Sequence, residues 1–535
     1  MNTQITLAES IASTLAANAV KRIFGVPGGG SSLDLIDAAS RAGIEFVLCR
    51  TETAAAIMAA VTGELTGVPG VVLTGIGPGA ASVVNGIAYA SLERAPVIVI
   101  TDAHDESAVA PPHQIFDQQA LFAPISKAQR RLTPENGAAE FAELFSLAAA
   151  EPPGPVHIDL SARDAGAEIR TEPVIVPSPA RGIDEDAFER ATALLAAARR
   201  PALIVGHQCR AADRAAAANA VARALGGPVM TTYKAKGVVP EDNRLNVGLF
   251  TGAKLDGAVL GTADLIVFCG VDPVEIIPGK WNYAAPVVVL SETGGLAWPF
   301  EADAEIAGPV AVSAGRLANT ATAGAWSGGV IADLKSHIRE TVENNASSTG
   351  WSPDSVVDAV AAAAPTGARL AVDAGAHMFS AMARWPTTLP HGAMKSNGLS
   401  SMGFAVPAAL ASWLEQPHRH AVALTGDGGM MMCLAELSTA ARLGAALTVV
   451  VLNDSALSLI DIKQQRQQRP PLGVRYPKAD FAAVARGMGC TAWSVGEADP
   501  LDAALAEVFA AEGPTLIDVT VDPSGYRDQL IALRG

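Results

Sequence analysis

Asp427 and Asp454 stand 27 residues apart, and each follows a short apolar run: Ala421 to Leu424 and Leu447 to Leu452. Runs of that length and composition predict buried parallel strands, and the interval is about one strand–helix–strand crossover. Both acids therefore leave the same carboxyl edge of a sheet, where open α/β folds bind ligands. Around the first acid the chain reads Gly426-Asp427-Gly428-Gly429, a backbone with no side-chain bulk that can turn sharply and approach a ligand closely. Met430 to Leu443 has the length and spacing of the helix that should follow. Two hard oxygen ligands beside glycine amides and a helix N-terminus suit Mg2+ carrying a diphosphate. Gly-Asp-Gly alone is an ordinary strand-to-helix turn; the second acidic turn in register is what points to a metal site.

The elements that must hold these acids recur along the whole chain. Short β-branched runs alternate with Ala-rich helical segments, the pattern of parallel α/β layers. Two turn-rich stretches, Glu172 to Gly182 and Glu343 to Ser355, read as linkers. They predict three α/β domains at 1–175, 183–340 and 353–535, each a mainly parallel sheet flanked by helices. In the first, a strand from Arg22 leaves through Gly28-Gly29-Gly30, and Gly70 to Thr74 enters a second glycine loop, Gly75-Ile76-Gly77-Pro78-Gly79. Between them Thr51 can cap a helix that opens on Glu52. Carboxylates are common in first turns because the helix dipole favours them. Further on, the polar loop that holds His113 and Gln114 precedes Lys127.

Composition narrows the function classes. The 535 residues carry a net charge of −16 with no polybasic block, which argues against nucleic acid or an anionic membrane surface as partner. Five cysteines lack CxxC spacing, so they read as reduced core thiols rather than a disulfide framework or zinc site. The first twenty residues read as an amphipathic helix rather than a secretory leader. With no membrane-length apolar run, a soluble cytoplasmic protein is expected. The glycine loops lack GxGxxG spacing, and GxSxG and HxxxH are absent.

The paired motif, Gly-Asp-Gly and then Asn453-Asp454, resembles the cofactor signature of thiamine diphosphate-dependent enzymes. The rest of the chain is similar to their acetolactate synthase, pyruvate oxidase and benzoylformate decarboxylase branch. The resemblance implies thiamine diphosphate and Mg2+ as cofactors, with Asp427, Asp454 and the carbonyl of Ala456 as metal ligands. The usual residue at the Asp454 position is Asn, so this chain carries an extra negative charge there. Glu52 matches the glutamate that hydrogen-bonds N1′ of the aminopyrimidine. Gln114, thirteen residues before Lys127, matches an active-site glutamine, and His113 stands where synthase-like relatives often have Phe. Gly375-Ala376-His377 resembles the family's diphosphate-binding Gly-x-His. Met402, 25 residues before Asp427, matches the apolar residue that wedges the cofactor into its bent form, and the carbonyl of Ser400 would accept from the 4′-amino group. Gly28, Gly77, Gly426, Gly428 and Gly429 complete the expected cofactor contacts.

The same resemblance implies carbon–carbon cleavage or formation on 2-oxo acids, with active sites between the subunits of a homodimer or homotetramer. His113 is expected to handle protons, as suits a decarboxylase or lyase. An acetolactate synthase-like transferase condensing two 2-oxo acids is the alternative; an NAD-dependent oxidoreductase and a non-catalytic subunit are weaker ones. In synthase-like relatives the central domain can hold FAD, and an arginine-bearing loop helps bind the second keto acid. Here that loop, Val271 to Ile276, contains no arginine, which counts against FAD and against acetolactate synthesis.

Overall fold

The computed structural model of the chain describes residues 4–105, 113–170, 181–343 and 350–534. Most of the predicted first linker (172–180) and part of the second (344–349) lie outside the described residues. The described chain falls into two compact units. One comprises residues 1–179 with the segments 406–418 and 433–445; the other holds 180–405, 419–432 and 446–535.

The first unit contains a ribbon and one six-stranded sheet. Its strands are β1 (Gln4–Thr6), β2 (Arg22–Val26), β3 (Glu45–Leu48), β4 (Gly70–Thr74), β5 (Val97–Ala103), β6 (Gln129–Arg131), β7 (Pro155–Ser161) and β8 (Glu168–Arg170). The sheet runs in the order β3-β2-β4-β5-β7-β6, all parallel. The predicted N-terminal helix is partly corrected. Gln4 to Thr6 pair antiparallel with β8, and the helix starts at Leu7, where Thr6 and Glu9 form a reciprocal capping box.

The second unit contains two more six-stranded parallel sheets. One is built from β9 (Pro201–Val205), β10 (Val229–Thr231), β11 (Asn246–Leu249), β12 (Leu265–Cys269), β13 (Val287–Ser291) and β14 (Ala304–Ala307), in the order β11-β10-β9-β12-β13-β14. The other contains β15 (Arg369–Val372), β16 (Ala393–Lys395), β17 (Ala421–Gly426), β18 (Leu447–Asn453), β19 (Thr491–Val495) and β20 (Thr515–Thr520), ordered β16-β15-β17-β18-β20-β19. Every residue of β4, β9, β12, β13 and β18 is buried, as expected where helices cover both faces of a parallel sheet. The five cysteines are buried and free.

In all three sheets the chain reverses direction beside the sheet's first strand. The chain goes from β2 to β3 on one side and then to β4 on the other; β9 and β15 behave alike. Ligand crevices of open α/β sheets form at such reversals, outside the carboxyl ends of the strands. In the first sheet the reversal lies between the loops after β2 and β4. In the last it lies between the loops after β15 and β17.

Candidate functional site

β17 and β18 are in register, with Gly426 beside Leu452, so Asp427 and Asp454 emerge side by side. The predicted open turn at Gly426–Gly429 is tighter than the sequence suggested, because the strand runs through Gly426 and a helix begins at Asp427. The helix expected over Met430–Leu443 is also divided, into Asp427–Cys433 and Glu436–Leu443. Three-residue hydrogen bonds from Leu437 to Leu434 and from Ser438 to Ala435 tighten the junction.

Asp427 is buried. Its Oδ1 accepts from the Gly428 amide at 2.7 Å and from the Tyr476 hydroxyl at 2.9 Å, while Oδ2 has no partner. Burial raises its pKa above the ordinary carboxylate value, and those hydrogen bonds oppose the shift. Asp454 accepts from the Ala456 amide at 3.2 Å and from the Ser458 hydroxyl. Burial, with the Asp427 charge adding to it, pushes Asp454 up to about 6. Two facing carboxylates and an orphaned buried oxygen are a donor set that a divalent cation would satisfy. Among the described residues no cluster of three or more His, Cys, Asp or Glu side chains could hold a metal; the expected set here is two carboxylates and a backbone carbonyl.

Close packing explains the glycines. A Cβ on Gly426 would lie 3.0 Å from the His377 ring, one on Gly428 would lie 2.7 Å from Leu457, and one on Gly429 would lie 2.3 Å from Asp373 Oδ2. His377 is buried, its Nε2 has no partner, and desolvation lowers it to about 4, so the ring is neutral at physiological pH. Ala376, His377, Ser400, Met402, Gly426, Asp427, Gly428, Gly429, Asp454 and Ala456 all line one cavity of about 230 Å³. Every site residue expected from the C-terminal third is therefore in one place. The cradle fits a diphosphate with its cation: glycine amides, a neutral imidazole and two acids meet there.

Sequence reasoning missed three residues at this site. Tyr476 holds Asp427, and Tyr526 lines the cavity from the helix Tyr526–Arg534. Asp373, fully buried, accepts from the amides of Gly403 and Phe404 at 3.0 and 2.8 Å and from Thr425 Oγ1 at 2.8 Å. It thus joins the Met402 turn to the strand before Asp427. The one sequence signal was its position at the end of the apolar run Ala371-Val372.

In the first unit the remaining expected residues gather at the carboxyl edge of the sheet. Glu52 is the first residue of the helix Glu52–Thr66, capped by Thr51, whose hydroxyl accepts from Ala54 N at 3.1 Å. A Cβ on Gly79 would lie 3.6 Å from Glu52 Oε1, so the carboxylate faces the second glycine loop. Gly28 packs against Gly75 and Asp102, with no room for a side chain. Gly77 has φ 65° and lies against the backbone of Gln114, itself left-handed at φ 62°. His113 is exposed, and its carbonyl accepts from His104 Nε2 at 2.7 Å. Sequence reasoning also missed Gln118, which is buried. Its Oε1 accepts from Gly77 N at 2.9 Å, while its Nε2 donates to Asp159 at 2.7 Å.

At the central sheet the loop after β12 turns inward. Glu275 is buried and accepts from His207 Nδ1 at 2.9 Å, from the Asp272 amide at 3.1 Å and from Thr232. The loop's polar groups are engaged within the protein.

Comparison with known proteins bears on this geometry. Three family models match: "Thiamine pyrophosphate enzyme, N-terminal TPP binding domain" over residues 5–121, the central domain over 188–292, and the C-terminal TPP binding domain over 373–519. An acetolactate synthase of Bacillus subtilis is 28% identical, covering 97% of this chain and 93% of that protein. The acetolactate synthase large subunit of Parasynechococcus marenigrum is 30% identical, covering 96% and 87%. A probable 2-ketoarginine decarboxylase of Pseudomonas aeruginosa is 28% identical, covering 96% and 94%.

Proposed function

The chain belongs to the thiamine pyrophosphate enzyme family, and from that premise we propose that it decarboxylates a 2-oxo acid and can pass the resulting fragment to a carbonyl acceptor. Bound thiamine diphosphate would supply the electron sink that takes the carbon–carbon bonding pair as CO2 leaves, which no side chain does. The chain supplies orientation and proton control. Asp427, Asp454 and the Ala456 carbonyl would hold Mg2+ against the diphosphate; the side-chain-free turn Gly426–Gly429 would give its oxygens room beside the neutral His377. Met402 and the Ser400 carbonyl would fix the pyrimidine end. Glu52 would hold a proton at N1′ of the aminopyrimidine, and Gln114 with His113 would manage protons on the substrate side.

The observation that carries this reading is the convergence of ten expected residues on one cavity, with Asp427 Oδ2 left without a partner. Decarboxylation as the first step agrees with the relative described as a decarboxylase. The two synthase relatives support the second reading, in which two 2-oxo acids are condensed. CO2 release from pyruvate, benzoylformate and longer 2-oxo acids, with and without an acceptor aldehyde or keto acid, separates the two. No release from any of them with Mg2+ and thiamine diphosphate present rejects both.

The proposal extends to assembly and place. Glu52 of one subunit would act with Asp427 of another, which makes a homodimer the working unit and a homotetramer its doubled form. No helix of the described residues is long and apolar enough to cross a membrane, and a cytoplasmic location completes the reading. FAD is left out, because the loop after β12 carries no arginine and its acid is engaged inside. A flavin absorbance band in the purified protein would reverse that.

A further inference from the structure

Glu436 lies in the first turn of the helix Glu436–Leu443, and its side chain is fully buried. A buried carboxylate is costly unless its oxygens are paired, so its partners matter. Oε1 accepts from the backbone amides of Arg50 and Thr51, at 2.9 and 3.1 Å. Oε2 accepts from Thr439 Oγ1 at 2.7 Å. The two amides belong to the residues immediately before Glu52. The same helix adds two further links to that turn: Ser438 Oγ accepts from Arg50 Nε at 2.8 Å, and Arg442 donates to the Leu48 carbonyl at 2.6 Å. These residues all belong to the first unit.

A turn before a helix has backbone donors that its own helix cannot satisfy. Here Thr51 satisfies one inside the helix, and Glu436 takes the two before it. The frame from which the Glu52 side chain departs is thereby fixed by an acceptor oxygen on a side chain that is itself buried. We propose that Glu436 is a positioning residue for Glu52, holding the Arg50–Thr51 amides so that the Glu52 carboxylate is aimed at the cofactor pyrimidine. The proposal rests on the role given to Glu52 above.

A role in aiming and a role in folding respond differently to two substitutions. Glu436→Gln keeps an oxygen at the same reach but removes the charge. Glu436→Asp keeps the charge but withdraws the acceptor by one methylene. The readout is hydrogen–deuterium exchange at C2 of thiamine diphosphate bound to the holoenzyme, followed by acid quench and NMR, beside cofactor affinity by titration. A misplacement of about 1 Å can cost on the order of 100-fold in rate.

Expected are Glu436→Asp exchanging at least about tenfold more slowly with cofactor affinity close to that of the unaltered protein, and Glu436→Gln exchanging near the original rate. Full-speed exchange in Glu436→Asp, or slow exchange in Glu436→Gln, overturns the proposal. If the unaltered protein binds no thiamine diphosphate, or exchanges C2 no more slowly after Glu52→Gln, the functional reading itself fails instead.

Discussion

Asp427 and Asp454 face one another from the ends of neighbouring parallel strands, and the charge of the first adds to the burial that lifts the second to about 6. The fold keeps this repulsion where a cation would cancel it. The pair is therefore a cost to the metal-free protein that a bound cation would relieve.

That cost is measurable. Asp454 is ionised above about pH 6 in the folded chain, against an ordinary value of 3.8. A raised acid disfavours the folded state above that range and costs nothing below it. Asp454→Asn should stabilise the metal-free protein above pH 6 by roughly 1–3 kcal/mol, and reduce the further stabilisation that Mg2+ with thiamine diphosphate provides. Thermal melts with and without both ligands check this. A lower melting temperature for the metal-free variant contradicts it.

Gly429 and Gly315 make a controlled pair. A methyl on Gly429 would lie 2.3 Å from Asp373 Oδ2, whereas one on Gly315, inside the helix Val310–Thr320, meets nothing within 4 Å. Gly429→Ala should cost about 1–3 kcal/mol through forced displacement and lower cofactor affinity. Gly315→Ala should be neutral or gain up to about 1 kcal/mol from helix propensity. Chemical denaturation of both variants decides, and equal effects would contradict the packing argument.

His377 supplies a pH signature of opposite sign. Its folded value is about 4 against an ordinary 6.5. Between those values the unfolded chain binds more protons, so the contribution is whole above 6.5 and lost as pH falls toward 4. Replacing His377 with Gln should flatten that acid limb by up to about 3 kcal/mol. An unchanged slope of stability against pH would contradict a buried neutral imidazole.

The residues expected at the site were legible because their spacing is local: two acidic turns stand one crossover apart, and one acid opens a capped helix. Asp427 and Asp454 both follow apolar runs, and Glu52 follows a capping threonine. The residues that hold them in place were not legible. Asp373 works on Gly403, thirty positions away, Gln118 on Gly77 across 41, and Glu436 on Arg50 across 386. A buried polar residue declares its partner only once the sheet is wound. The β1–β8 ribbon escaped for the same reason, since three residues carry too little periodicity to reveal an antiparallel pairing so distant. The division of the helix after Asp427 had no Gly or Pro to mark it.

His113 offers a test of the decarboxylase reading. Its side chain is exposed beside Gln114, whose backbone meets the second glycine loop. His113→Phe should slow steady-state release of the aldehyde product by about a hundredfold, the lower end for loss of a general acid or base, while leaving the CO2 released in the first turnover less affected. Product analysis by chromatography checks it. Unchanged aldehyde release would remove His113 from the mechanism.

The most direct test of the whole account mixes two inactive proteins. Glu52→Gln should bind cofactor yet lose most activity, and Asp427→Asn should lose metal-held cofactor. If each site takes its glutamate from one subunit and its metal ligands from another, mixed dimers contain one intact site in two. An equal mixture re-formed at random should recover about a quarter of the original activity. Mixed dimers that form, confirmed by differently tagged subunits, yet stay inactive would contradict the account.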